Sequence, residues 1–126
     1  MRTVHVLLVD DNTDFLAAAK KFLSSLGGVV VAGCATGAEE GIARCADLRP
    51  DLVLIDVVMP GMSGFDATSL LKQGANAPEV VLLTLHNTEA YRTRARSAGA
   101  DGFIAKDELV AQFPPLIESL FPGWHP

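Results

Sequence analysis

Residues 52–64 read LVLIDVVMPGMSG, and this stretch decides the fold of the chain. Its first half, Leu52–Val58, is almost wholly apolar, as expected of a strand that is buried on both faces of a parallel sheet. The turn-forming residues 59–64 follow, and a helix is predicted over Phe65–Lys72. Asp56 is the one charged residue in the stretch, and it lies where the buried strand emerges. A strand, a loop and a helix in this order predict an α/β protein with Asp56 at one edge of its sheet.

Apolar runs alternate with helical patterns on both sides of this stretch. The predicted strands are Val4–Val9, Val29–Cys34, Leu52–Val58, Val80–Leu85 and Gly102–Ala105. The predicted helices are Asp14–Leu26, a segment from Thr36 or Gly37 to Arg49, Phe65–Lys72 and Thr88–Ala98. Connections long enough for a helix require parallel strands joined by right-handed crossovers. The fold class is therefore a doubly wound α/β sheet of five parallel strands with helices on both faces. The pattern leaves the order of the strands open.

The end of the chain is less regular. Pro114 and Pro115 interrupt the last apolar pattern. Proline inside a helix removes a hydrogen bond and clashes with the preceding turn. We therefore predict a short turn at Glu108–Gln112 and a helix that restarts near Pro114. Residues 122–126 show no periodicity and are interpreted as a C-terminal tail that follows a single domain, residues 1–121.

Composition and charge exclude several functions. The chain has 126 residues, of which 49% are hydrophobic and 20% charged, and this is ordinary for one globular domain and too apolar for disorder. The net charge of −5, without a run of Lys or Arg, argues against a nucleic-acid partner. No apolar stretch approaches the ~20 residues of a membrane span, and no signal peptide is recognised, so a cytoplasmic protein is expected. Cys34 and Cys45 are interpreted as buried free thiols rather than a disulfide or a metal pair.

Five polar residues follow the predicted strands at their carboxyl ends. They are Asp10, Asp11, Asp56, Thr84 and Lys106. In an open parallel sheet, ligands bind beyond these ends, so side chains that are distant in sequence meet in one crevice. Three carboxylates with an ammonium and a hydroxyl suit a hard divalent cation beside a phosphoryl group. Each residue alone has an ordinary explanation: helix capping or a turn for the acids, solvation for the lysine, strand propensity for the threonine. The set together favours a ligand site.

The motifs that contain these residues resemble the receiver domain of two-component response regulators. The matching segments are VDDN around Asp10, DVVMPGMSG from Asp56 to Gly64, LLT ending at Thr84, and ADGFIAK ending at Lys106. The resemblance covers essentially the whole chain, and it is greatest to receivers that usually precede a helix-turn-helix output domain. It implies a flavodoxin-like sheet with the strand order 2-1-3-4-5.

The resemblance also implies a role for each site residue. Asp56 would accept a phosphoryl group from a histidine kinase or a phosphotransfer protein and form an aspartyl phosphate. Asp11, Asp56 and the backbone carbonyl of Val58 would bind Mg²⁺ directly. Asp10 would bind it through water, and Lys106 would pair with a phosphoryl oxygen.

Thr84 and Phe103 would form a switch. The Thr84 hydroxyl would move to the phosphoryl group and Phe103 would turn inward, which selects between two pre-existing states. The predicted fourth helix is polar and can shift at modest cost, so the signal would leave through the face it forms with the fifth strand and the last helix. The recipient would be a downstream protein target or a fused output domain. Because two prolines interrupt the last helix, a monomer or a weak dimer is expected.

A few positions depart from the family pattern. Val58 and His86 flank the expected path of a hydrolytic water, and the bulk of Leu85 narrows access to Asp56. Val58 and Leu85 offer the water no hydrogen bond and His86 can obstruct it, so the aspartyl phosphate is expected to be long-lived. Asp107 follows Lys106 where many relatives have a proline after a cis bond, and the geometry of that peptide is left open.

Other function classes fit the residues less well. A Mg²⁺-dependent aspartate phosphohydrolase also uses an Asp at a strand end, but such families usually carry a second Asp two residues on, where this chain has Val58. An interaction module with an inactive receiver fold is disfavoured because all five site residues are present. The prediction is therefore a phosphoacceptor signalling domain rather than an enzyme. It either stands alone or is the N-terminal receiver of a DNA-binding transcriptional regulator.

Overall fold

The predicted alternation of strands and helices is present in the computed structural model, which describes residues 2–126. The strands are β1 (Val4–Val9), β2 (Val29–Ala35), β3 (Leu52–Asp56), β4 (Glu79–Thr84) and β5 (Gly102–Ala105). The helices are α1 (Thr13–Ser24), α2 (Ala38–Leu48), α3 (Gly64–Leu71), α4 (Glu89–Ala98) and α5 (Leu109–Leu120). A 3₁₀ turn, Lys106–Glu108, joins β5 to α5. Apart from the last helix, the bounds lie within two residues of those predicted. Among the described residues, no helix has the length and apolar character to cross a membrane.

The sheet is parallel throughout, and its strand order is β2-β1-β3-β4-β5. The order implied by the family resemblance is thus confirmed. Asp56 pairs with Leu83 of β4, and Thr84 pairs with Ala105 of β5. Because the carboxyl ends of parallel strands meet at the same edge, Asp56, Thr84 and Lys106 follow one another across adjacent strands.

The helices cover both faces of the sheet, and each face has its own apolar core. On one face, α1 and α5 bury a core whose helical members are Leu16, Ala19, Leu23, Leu109, Phe113 and Ile117. On the other face, the helical members from α2, α3 and α4 are Ala38, Cys45, Phe65, Ala67 and Ala95. Ala95 is the only buried residue of α4, so this helix is the least anchored of the three within the described chain.

The last helix is continuous, so the predicted break at Pro114 and Pro115 is wrong. Its buried residues recur at four-residue spacing and pack into the core that α1 shares. They are Leu109, Phe113 and Ile117. Pro114 and Pro115 have no backbone N–H, so the carbonyls of Val110 and Ala111 lose their helical hydrogen-bond donors. Both residues are exposed, so water can donate hydrogen bonds to these carbonyls instead. Burial of the apolar face of α5 therefore outweighs the cost of the two prolines. The prediction of a monomer or a weak dimer was based on a broken helix, and the structure removes that basis.

The segment after α5 packs back onto the sheet. Trp124 is 1% exposed and belongs to the core on the α1 and α5 face. The Gly123 carbonyl accepts a hydrogen bond from the Arg2 N–H at 3.4 Å. A side chain on Gly28 would lie 3.0 Å from the indole nitrogen and 3.1 Å from the Arg2 carbonyl. The indole therefore closes the amino ends of β1 and β2, and a domain boundary at residue 121 leaves out a side chain that the core uses.

Both cysteines are free thiols. Cys45 in α2 is buried, and burial raises the pKa of its thiol. Cys34 in β2 is only partly buried. The expectation of buried free thiols thus holds in full for Cys45 and in part for Cys34.

Candidate functional site

The acids that follow β1 are held by the turn that leads into α1. Asn12 is the N-cap of α1, and its side chain accepts a hydrogen bond from the Phe15 N–H at 3.0 Å. Oδ1 of Asp10 accepts a hydrogen bond from the Asn12 N–H at 2.9 Å. Because Asn12 supplies the cap, helix capping does not explain Asp10 or Asp11.

Asp10, Asp11 and Asp56 converge on one point. Each offers a carboxylate oxygen, and these oxygens all lie within 4.8 Å of one another. Asp10 and Asp56 are buried while Asp11 is exposed, so the cluster opens to solvent on one side. Oδ2 of Asp10 has no hydrogen bond of ordinary geometry among residues 2–126, but it forms an ion pair with the Lys106 ammonium. Clustered carboxylates are the ligands that hard divalent cations prefer, so this site could bind a metal.

Lys106 is the cation of the cluster. Its Nζ lies 2.6 Å from Oδ2 of Asp10 and 3.4 Å from Oδ2 of Asp56. The lysine side chain is only 7% exposed, so its ammonium has exchanged most of its water for carboxylates. All peptide bonds among residues 2–126 are trans, including the one between Lys106 and Asp107. The predicted site residues at the ends of β1, β3 and β5 are therefore in direct contact or within a few ångströms.

Burial and a like charge destabilise the ionised form of Asp56. The pKa of its carboxyl is raised from 3.8 to about 6, first by burial and second by the charge of Asp10. Lys106 and a hydrogen bond from the Val58 backbone act in the opposite direction and lower this pKa. The start of α3 packs closely against the backbone of Asp56. A Cβ on Gly64 would lie 2.2 Å from the Asp56 carbonyl oxygen, so only glycine fits at this position.

The two residues predicted to form a switch lie at the same edge of the sheet but in different settings. Thr84 is buried, and its hydroxyl accepts a hydrogen bond from the His86 N–H at 2.9 Å. The same hydroxyl lies 3.2 Å from the His86 carbonyl, so its bonds are made within its own turn. Phe103 is half-buried in β5 and pairs with Leu82, two positions before Thr84. Side chains two positions apart on neighbouring strands share a face, so Thr84 and Phe103 face the same core.

The mouth of the site carries exposed apolar side chains. Val58 is 58% exposed and Leu85 is 75% exposed. His86 is also exposed, and its ring lies edge-on to Tyr91 of α4 with the ring centroids 6.3 Å apart. All three side chains were predicted to lie near the path to Asp56, and each is exposed to solvent.

Phe15 is a site residue that the sequence analysis missed. Its ring lies beneath the Lys106 ammonium, with Nζ 4.6 Å from the ring centroid. The helical pattern explains Phe15 as an apolar residue of the first helix, and the ring does pack against the α1 core. Phe15 lies in the first turn of α1, directly after Asp10 and Asp11, and this position could have indicated that it belongs to the site.

Comparisons with known proteins agree with this fold. Residues 6–116 match the family model described as the response regulator receiver domain. The chain therefore belongs to the receiver domain family of response regulators, the proteins that carry signals in two-component systems.

Named relatives support the same conclusion. The response regulator GacA of Pseudomonas viridiflava is 33% identical over 120 residues, covering 95% of this chain and 56% of GacA. The nitrate/nitrite response regulator protein NarL of Escherichia coli (strain K12) is 33% identical over 102 residues, covering 81% of this chain and 47% of NarL. A solved structure of a two-component response regulator of the LuxR family, from Aurantimonas sp. SI85-9A1, has 28% identity and a TM-score of 0.89. That match covers 96% of this chain and 86% of the other. The chain spans about half the length of the curated relatives it matches.

Proposed function

We propose that this receiver accepts a phosphoryl group on Asp56 from a phosphohistidine of a histidine kinase or a phosphotransfer protein. The observation that carries the proposal is the position of Asp56. It is a buried carboxylate with two more carboxylates within 4.8 Å and an ammonium at 3.4 Å. Burial and, second, the charge of Asp10 raise the pKa of Asp56, and a nearby cation such as Lys106 lowers it. Phosphoryl transfer depends on the positioning of the reacting groups and on neutralisation of their charge. Here the fold fixes Asp56 beside Lys106, and the three carboxylates could hold a cation.

In the proposed step, a carboxylate oxygen of Asp56 attacks the phosphorus of the phosphohistidine. The new P–O bond forms as the P–N bond breaks, and the imidazole of the donor leaves with the bonding electron pair. Lys106 is close enough to Asp56 to contact an oxygen of the incoming phosphoryl group, and its ammonium balances part of the added charge.

The residues around Asp56 fit Mg²⁺. Asp11, Asp56 and the backbone carbonyl of Val58 would hold the ion directly, and Asp10 would hold it through water. The donor set consists of carboxylate oxygens from three residues, and this supports Mg²⁺ over a softer metal. When bound, Mg²⁺ supplies positive charge to the oxygens of the transferring group. In its absence, Lys106 is the only cation that offsets the carboxylates within the described cluster.

The change of state would pass from Thr84 and Phe103 to the face formed by α4, β5 and α5. The Thr84 hydroxyl now bonds within its own turn, and a phosphoryl oxygen on Asp56 would compete for it. α4 buries only Ala95 within the described chain, so it can respond at modest cost. The signal would then reach a downstream protein target, or an output domain of a longer regulator, as the length of the relatives favours.

Intact-mass analysis after incubation with acetyl phosphate and Mg²⁺ tests the proposal. The wild-type protein should gain one phosphoryl group, and Asp56→Asn should gain none. Asp66→Asn, the same chemical change at an exposed residue of α3, is the matched control and should behave like the wild type. Chelation of Mg²⁺ should abolish the gain. A phosphoryl group that persists in Asp56→Asn would sink the assignment.

A further inference from the structure

Phe15 contributes an attraction to Lys106 that differs in kind from the carboxylates. The ammonium lies 4.6 Å from the ring centroid of Phe15 and has its other close contacts with Asp10 and Asp56. A cation over an aromatic face is held by the ring quadrupole, most strongly where water is excluded. Here the lysine side chain is 7% exposed, which meets that condition.

The two kinds of contact respond differently when a divalent cation enters. Asp10 and Asp56 are part of the carboxylate cluster that could hold the metal, so a bound cation competes with Lys106 for them. The ring of Phe15 has no such competitor. It is fixed by the core of α1 and α5, against which it packs, and by the capped first turn of α1.

We propose that Phe15 is a positioning residue that keeps the Lys106 ammonium at Asp56 after the carboxylates have been taken by a metal. The inference rests on the proposed function and adds a further member to that site. Phe15 acts through Lys106 and does not touch the phosphoryl group itself. It follows that an aromatic ring, and not apolar bulk alone, is required at this position.

The matched control is on the same helix. Phe22 is also half-buried against the same core, and its ring lies edge-on to Phe113 with the centroids 6.3 Å apart. Phe22→Leu therefore reports the cost of removing a ring from α1 away from the site. Phe15→Leu removes the quadrupole but keeps apolar volume, and Phe15→Tyr keeps the quadrupole.

Two measurements on the whole protein test the proposal. The first is the affinity for beryllium fluoride, a phosphoryl analogue, in saturating Mg²⁺. Phe15→Leu should weaken it about three- to tenfold, while Phe15→Tyr and Phe22→Leu should stay within about twofold of wild type. Mg²⁺ affinity measured alone should be unchanged in all three variants. The second is the proton shift of the Lys106 Cε group, assigned with Lys106→Arg. This shift should be moved upfield by the ring in wild type and Phe15→Tyr, and not in Phe15→Leu.

The outcomes separate the failure of this inference from the failure of the proposed function. Wild-type affinity in Phe15→Leu, or an equal loss in Phe15→Tyr or Phe22→Leu, would assign Phe15 a packing role only and overturn the proposal. A Lys106 signal without an upfield shift in the wild type would overturn it as well. If the wild type binds no beryllium fluoride and gains no phosphoryl group, the proposed function falls, and the positioning role falls with it.

Discussion

The two ends of the sheet differ in how closely their carboxylates are crowded. At the carboxyl end, three carboxylates crowd together and a single ammonium serves two of them. At the amino end, Lys72 lies 2.8 Å from Asp101, which also accepts a hydrogen bond from the Val80 N–H at 2.8 Å. Burial and the neighbouring Asp101 raise the pKa of Glu79 at this end, and Lys72 acts in the opposite direction. The same end is closed by the buried indole of Trp124.

This difference separates stability from function within one small domain. Burial and the charge of Asp10 raise the pKa of Asp56, so a cation or a proton at the carboxyl end stabilises this carboxyl. At the amino end, Lys72 balances the charge of Asp101, and the indole of Trp124 covers an apolar edge. We therefore expect substitutions at the amino end to lower stability. Removal of the negative charge of Asp56 at the carboxyl end should raise stability and abolish the proposed activity.

The largest effect on stability should come from Trp124. Trp124→Ala removes a fully buried indole from a core that cannot close around the gap, so the free energy of unfolding should fall by about 3–5 kcal/mol. Urea unfolding measures this, with Trp124→Phe as a milder variant that keeps most of the buried area. The Trp124→Ala protein that remains folded should still be phosphorylated on Asp56, because the indole lies at the opposite end of the sheet. A loss below about 1 kcal/mol would mean that the tail is not part of the core.

The second effect is a gain in stability at the carboxyl end. Asp56→Asn should stabilise the metal-free protein at neutral pH by on the order of 1–3 kcal/mol, since the carboxyl pKa is about 6 in the fold against an ordinary 3.8. The sign follows from proton binding. Between these two values the folded state holds the proton more tightly than the unfolded state does, so wild-type stability falls as pH rises through this window. The gain in the variant should therefore vanish below about pH 4 and be complete above about pH 7.

Urea unfolding in a chelator, at about pH 5 and about pH 7.5, checks this pH dependence. Added Mg²⁺ should reverse the order of the two proteins, because the wild type binds the ion with one more carboxylate. If metal-free Asp56→Asn were less stable than the wild type at neutral pH, the ionised Asp56 carboxylate would not be destabilised in the fold, and the prediction would be wrong.

Sequence reasoning predicted the carboxyl end well and the amino end poorly, for a physical reason. The site residues follow apolar runs, and the edge at which parallel strands end is fixed by their direction, so Asp10, Asp56 and Lys106 could be brought together without knowing a single distance. Trp124 lies in a segment without periodicity, and nothing local predicts which core it fills. Pro114 was overestimated as a helix breaker, because local propensity was weighed without the tertiary burial of α5.

Contacts between side chains from different elements were also beyond reach of the sequence. The ring of Phe15 under Lys106 and the pairing of Lys72 with Asp101 join segments far apart in the chain. Patterns predict which face a residue occupies, but they do not predict its partner across a layer. The family resemblance supplied the strand order, which the alternation of strands and helices alone left open.

The third effect should have the opposite sign from that of Asp56→Asn. Asp101→Ala removes the partner of Lys72 and the acceptor for the Val80 N–H, so the protein should lose about 1–2 kcal/mol of stability. Asp47→Ala, the same change at an exposed acid of α2, should have little effect. Thermal unfolding of both variants gives the comparison. Equal stability of Asp101→Ala and wild type would show that the amino-end pair is as dispensable as an ordinary surface ion pair.

The smallest effect concerns the exposed apolar side chains at the mouth of the carboxyl end. Val58 and Leu85 offer no hydrogen bond to a water that attacks the aspartyl phosphate proposed on Asp56, so the phosphorylated protein should persist for minutes or longer. Val58→Asn adds a side chain that can orient such a water, and one hydrogen bond of about 1 kcal/mol corresponds to roughly fivefold faster hydrolysis. Loss of the phosphoryl group after removal of the donor, followed by intact mass, measures the rate. Val30→Asn changes another exposed valine, on β2, and should leave the rate unchanged. Equal lifetimes in Val58→Asn and wild type would mean that access to the phosphoryl group, and not help given to the water, limits its hydrolysis.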